Sequence, residues 1–96
     1  MATFIALLDY TDQGVQNLSE SPQRADAFNE YAEKAGVQIV GQYWTIGSHD
    51  GVLILEAPSD EAAASVLLHL AASGSVRTTT LRAYEWAEAQ ELIGSG

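Results

Sequence analysis

Cysteine is absent from this 96-residue sequence. Disulfides, thiolate metal centres and cysteine nucleophiles are excluded with it. Cations are scarce: four Lys and Arg stand against thirteen Asp and Glu, a formal charge of −9. Affinity for a phosphate backbone or an anionic membrane comes from Lys and Arg releasing counterions. Here Arg24, Lys34, Arg77 and Arg82 are dispersed rather than gathered, so neither nucleic acid nor a membrane is expected as a partner. Long apolar runs are missing too. No segment approaches the roughly 20 residues that span a bilayer. The start, Met1-Ala2-Thr3-Phe4, lacks the basic region of a secretory leader, and the apolar run to Leu8 is short for one. A cytoplasmic location is expected. Two histidines without a spaced carboxylate make neither a HExxH motif nor a facial triad, so no metal or other cofactor is expected.

What is present points to a folded domain. The apolar share of 47% is ordinary for a globular protein. The length suits one domain over residues 1–93, with Gly94-Ser95-Gly96 reading as a flexible tail. Thr3 to Tyr10 reads as a strand, apolar on both alternating sets. Thr11-Asp12 offers a helix cap, with Val15 and Leu18 spaced three apart. Ser21-Pro22 is a cap followed by a first-turn proline, so the main helix is predicted over Pro22 to Ala35, with Ala25, Phe28, Ala32 and Ala35 as its stripe and Gly36 as its stop. Val37 to Ile46 reads as a second strand and Gly47-Ser48-His49-Asp50-Gly51 as a tight turn. Val52 to Ala57 reads as a third strand. Ser59 caps a second helix that runs to about Ser73 on Ala63, Val66, Leu67 and Leu70. Ser75 to Tyr84, with its β-branched Thr78-Thr79-Thr80, is the fourth strand. Trp86 to Ile93 is a short last helix or a packed tail.

Two strand-helix-strand units in series predict an α+β, ferredoxin-like βαββαβ fold: a four-stranded antiparallel sheet with both helices on one face. Strands one and three are apolar on both alternating sets. The face away from the helices would then be apolar as well, and a second copy is the expected cover.

Several blocks occur in order: Phe4-Ile5-Ala6-Leu7-Leu8-Asp9-Tyr10-Thr11-Asp12-Gln13-Gly14, Tyr43-Trp44-Thr45-Ile46-Gly47, Asp50-Gly51-Val52-Leu53-Ile54-Leu55-Glu56-Ala57-Pro58 and Val76-Arg77-Thr78-Thr79-Thr80-Leu81-Arg82-Ala83. Together they resemble the GYD-domain proteins of the dimeric α/β-barrel superfamily, over nearly the whole chain to about residue 84. Gly47 and Asp50 match the Gly and Asp for which that family is named, whereas His49 stands where Tyr is expected. The resemblance implies the fold and a homodimer that closes a barrel. It implies no chemistry.

Candidate site residues follow from residue type. His49 beside Asp50 is an imidazole next to a carboxylate that could orient it as a base; Arg77 could clamp a substrate carboxylate. Arg82 is a second such cation, and salt bridges to nearby acids are the plainer reading of both. Tyr10, Tyr43, Trp44, Tyr84 and Trp86 fall at strand ends and suit a cleft for a planar organic ligand, and a dimer interface or the core just as well. Tyr10, Trp44, His49, Asp50 and Arg77 are the expected ligand contacts. His69 flanks the second helix's stripe, where ligation of a metal or haem is the minor reading. Asp9 and Glu56, if turned inwards, should pair with the arginines. Three functions remain: a homo-oligomer binding a small organic molecule between sheet and helices, which leads; a cofactor-free enzyme of the monooxygenase or isomerase kind using His49, Asp50 and Arg77; and a structural or protein-interaction module. The charge balance predicts no binding to DNA or RNA near physiological salt; micromolar affinity with a steep salt slope in a fluorescence anisotropy titration would contradict it.

Overall fold

A computed structural model describes residues 1–94 of the chain. The elements run β1 (Ala2–Tyr10), α1 (Asp12–Gln16), a 3-10 turn (Leu18–Glu20), α2 (Ser21–Lys34), β2 (Gln38–Trp44), β3 (Gly51–Ala57), α3 (Asp60–Ala72), β4 (Val76–Ala83) and α4 (Trp86–Gly94). All strand pairs are antiparallel, in the order β2-β3-β1-β4. This is the ferredoxin-like α+β arrangement that the order of apolar segments predicts.

Pairing and burial assign the two sheet faces. Phe4 and Ala6 of β1 are buried, as are Leu53, Leu55 and Ala57 of β3, and Phe4 lies opposite Leu55 and Ala6 opposite Leu53. This set meets Phe28 and Ala32 of α2 and Ala63, Val66 and Leu67 of α3 in one core. Val37, between α2 and β2, completes it. The alternate set is Thr3, Ile5, Leu7 and Asp9 on β1 with Val52, Ile54 and Glu56 on β3, all half-buried on the face that no helix covers. Side chains in a strand alternate between faces, so β2 adds Tyr43 and β4 adds Arg77, Thr79 and Leu81 to that open face.

Local chemistry explains the helix ends. The Thr11 hydroxyl accepts from the Gly14 amide at 3.2 Å and the Ser59 hydroxyl from the Ala62 amide at 3.1 Å, both as predicted. Asp60 and Glu61 occupy the first turn of α3, where the helix dipole favours acids. Gly36 at φ 81° and Gly74 at φ 83° follow α2 and α3, the left-handed stop that glycine takes without a Cβ penalty.

Some expectations are corrected. α2 begins at Ser21, and its N-cap position, Glu20, makes no side-chain cap bond; the Ser21 hydroxyl is engaged elsewhere, by aromatic partners described below. Val15 and Leu18 are exposed, because α1 is one short turn that buries Gly14 instead. Ala35, placed in the apolar stripe, is the exposed C-cap of α2. β2 is shorter at both ends than Val37 to Ile46, and its pairing with β3 slips between Ile39 and Gly41, which leaves Val40 exposed. The last segment is helical and includes Gly94, one residue of the expected flexible tail; the rest of that tail, residues 95–96, lies outside the described residues. α4 buries none of its residues, and Trp86 and Ile93 are 78% and 80% exposed. No helix among the described residues is long and apolar enough to cross a membrane.

Gly14 is the most tightly enclosed of the glycines. A Cβ there would stand 2.1 Å from the Ser75 carbonyl oxygen, where the chain is already tied by the Thr11 amide donating to the Ser75 carbonyl at 3.1 Å. Replacing a helical glycine by alanine ordinarily gains about 1 kcal/mol. Gly14→Ala is instead expected to lose about 2 kcal/mol through overpacking, read as a lower midpoint in urea unfolding.

Candidate functional site

The five residues expected to line one site divide between the two faces of the sheet at one end of β1. Tyr10 and Trp44 lie on the helix side. Trp44 Nε1 donates to the Ser21 hydroxyl at 3.0 Å, and the Tyr10 hydroxyl shares a hydrogen bond with the same oxygen at 3.2 Å. Leu18, Pro22 and Thr45 complete a shallow pocket around them, to which Asp50 also contributes. Asp50 is built into the backbone: its carboxylate accepts from the Tyr10 amide at 2.9 Å, and its own amide donates to the Leu8 carbonyl at 2.8 Å. The turn is closed by the Thr45 amide on the Asp50 carbonyl at 3.0 Å and by the Thr45 hydroxyl on the His49 carbonyl at 2.6 Å. Gly47, at φ 133°, supplies the bend.

His49 takes a different carboxylate from the one beside it in sequence. Its Nδ1 lies 3.2 and 3.3 Å from the two carboxylate oxygens of Asp9. The expected His49–Asp50 pair is therefore replaced by His49–Asp9. Adjacent residues project to opposite sides of an extended chain, and Asp50 is committed to the Tyr10 amide. The His49 and Asp9 side chains are 36% and 43% exposed, so the pair belongs with surface ion pairs worth about 0–1 kcal/mol. Arg77 sits opposite Asp9 in the β1–β4 register. It is exposed, with no carboxylate in ion-pair range among the described residues. Asp9, His49 and Arg77 thus gather at one end of the open face, with the apolar residues Leu7, Val52 and Tyr43 next along it.

The remaining candidates separate. Arg82 makes no salt bridge among the described residues: its guanidinium lies over the rings of Phe4, at 5.5 Å, and Tyr84, at 4.3 Å, and donates to the carbonyls of Thr3 and Ala83. Tyr84 and Trp86 follow β4 at the far end of the sheet from Tyr10, because Ala83 pairs with Thr3. Asp9 and Glu56 face the open side, not the core, and neither pairs with an arginine. His69 stacks on Tyr31, with ring centroids 3.6 Å apart and planes within 7°. No cluster of three or more metal-ligating side chains occurs among the described residues.

The cleft between sheet and helices exists, but other residues line it. A cavity of about 230 Å³ lies between α2, α3 and the sheet, walled by Phe28, Leu53, Leu70 and Val76 and bounded by Arg24 and His69. Neither Arg24 nor Ser21 stood out in the sequence. Ser21 gave a helix-cap signal, and Arg24 was one of four dispersed cations.

The sequence model of the GYD domain family matches residues 4–93. The chain belongs to the GYD-domain family. A relative in Thermus thermophilus, the "Glutamine synthetase and cystathionine beta-lyase binding protein", is 42% identical over 84 residues, spanning 86% of this chain and 88% of its own. Within the GYD turn of this chain, Gly47 bends the backbone and Asp50 ties it to β1, while His49 leans to Asp9. Ser21 joins the start of α2 to the ends of β1 and β2. Ser21→Ala is expected to cost about 1 kcal/mol, and to shift the indole N–H resonance of Trp44 while leaving that of Trp86 in place. An unmoved Trp44 signal would show that the hydroxyl does not hold the ring.

Proposed function

We propose that this GYD-domain protein is a binding module. Two copies pair through the open sheet face, and the pair docks onto a metabolic enzyme. The observation that carries the reading is the kinship with a protein named for binding glutamine synthetase and cystathionine beta-lyase, at 42% identity over most of both chains. The open face supports the pairing. Ile5, Leu7, Val52, Ile54 and Leu81 form an apolar band there, flanked by Tyr43. Such a band runs to several hundred Å², about the limit for a soluble monomer. Burying it against a copy is favourable by roughly 25 cal/mol per Å² before association costs. A two-fold contact between the two open faces would complete the α/β barrel. A cytoplasmic location goes with a partner of this kind.

The cavity between sheet and helices favours a second reading alongside the first: a small organic molecule bound in that cleft. The enzyme alternative would draw on the His49–Asp9 pair with Arg77 beside it, rather than on His49 with Asp50.

Sedimentation equilibrium at low micromolar concentration is expected to give a dimer or larger. Leu7→Glu, on the open face, should give a folded monomer with a cooperative melt. A wild-type chain that stays monomeric across dilution would remove the pairing. Biolayer interferometry against the glutamine synthetase and cystathionine beta-lyase of the same organism tests the docking. Binding to at least one of them is expected, and no response to either at micromolar concentration would overturn it.

A further inference from the structure

Acidic residues outnumber Lys and Arg thirteen to four in this chain, yet the cavity between α2, α3 and the sheet is lined by an arginine, a histidine and no acid. Its walls are otherwise apolar or neutral: Phe28, Leu53, Leu70 and Val76, with the hydroxyls of Ser73 and Ser75 and the amide of Gln42. Arg24 is held in place on one side. Its Nη1 donates to the Asn17 carbonyl at 2.9 Å and lies 3.8 Å from the carboxylate of Glu20, a largely exposed side chain. Its Nη2 is buried, with no hydrogen-bond partner among the described residues. The side chain as a whole, 28% exposed, puts a cation on the cavity wall, and a carboxylate beside it would gain a charge-assisted hydrogen bond of the strong kind. His69, steadied by its stack on Tyr31, brings an imidazole to the same lining.

We propose that this cavity binds a small organic monocarboxylate, its acid group on Arg24 beside His69 and its apolar tail among Phe28, Leu53, Leu70 and Val76. The proposal rests on the reading that the cleft is a ligand site, and it names the ligand's chemistry. The volume, about 230 Å³, lies below the roughly 300–1,000 Å³ of pockets for drug-sized ligands, so the tail is a short branched alkyl or single aryl group. An α-amino acid is disfavoured, because its ammonium group would meet no carboxylate on the walls. The ligand class is thus the carboxylic acid without the amino group.

The test is a matched titration of the wild-type protein, followed by two-dimensional NMR of the backbone amides of Phe28, Leu53, Leu70 and Val76. The probes are 4-methylpentanoate with 4-methylpentanamide and leucine, and 3-phenylpropanoate with 3-phenylpropanamide and phenylalanine. At least one acid is expected to shift these signals with a dissociation constant in the millimolar range or below, as suits a fragment-sized ligand. Its amide and its amino acid should bind at least tenfold more weakly. Arg24→Gln should erase the acid's advantage, while Lys34→Gln, the same charge change in the last turn of α2 and outside the cavity, should leave it intact. If acid and amide bind alike, or the preference survives Arg24→Gln, the anion assignment falls while the cleft remains a ligand site. If no probe moves the cavity signals, the cleft reading fails and the proposal with it. The acid–amide comparison decides on the wild-type chain alone, whether or not Arg24→Gln folds.

Discussion

The structure depends on one constraint: a sheet whose two central strands are apolar on both faces, with helices enough to cover only one. β1 and β3 lie side by side at its centre. Phe4, Ala6, Leu53 and Leu55 are buried under α2 and α3, while Ile5, Leu7, Val52 and Ile54 stay half-buried on the other side. Antiparallel sheets with one wet face ordinarily alternate apolar with polar residues. On the uncovered face the central strands do so only at their ends, where Asp9, opposite Arg77, stands at one limit and Thr3 and Glu56 at the other. An apolar centre with a charged margin is how protein interfaces are commonly laid out. The same constraint gives the turn after β2 its setting, since His49 reaches Asp9 on that margin.

Much of the fold was legible because it is written in local signals. Caps at Thr11 and Ser59, stops at Gly36 and Gly74, and the apolar spacing of α3 all act over a few residues and all appear where expected. Which set of β1 faces the helices was not legible, since both sets are apolar and only packing against Phe28, Val66 and Leu67 separates them. Ser21 shows a local signal losing to a distant one. Its hydroxyl suits a helix cap, but Tyr10 and Trp44, eleven and twenty-three residues away in sequence, claim it.

The candidate site was legible in composition and not in partnership. The sequence pairs His49 with the adjacent Asp50, but the carboxylate it meets lies forty residues away on β1. Nothing in the string of letters marks Asp9 over Asp50. The face of each aromatic was hidden for a similar reason: Tyr43 and Trp44 are neighbours in β2, so alternation sends one to the open side and one to Ser21. Arg24 was invisible as a cavity residue because its place on the cavity wall comes from the packing of α2 against α3 and the sheet.

The slipped pairing between Ile39 and Gly41 also bears on how molecules of this kind meet. β2 is an outermost strand, so its free edge offers unpaired backbone groups to any passing chain. A bulge bends and twists that edge and puts the ladder out of step at Val40. A foreign strand laid along it would lose registry after a few residues. Edge-to-edge growth of the sheet into fibres through β2 is thereby discouraged.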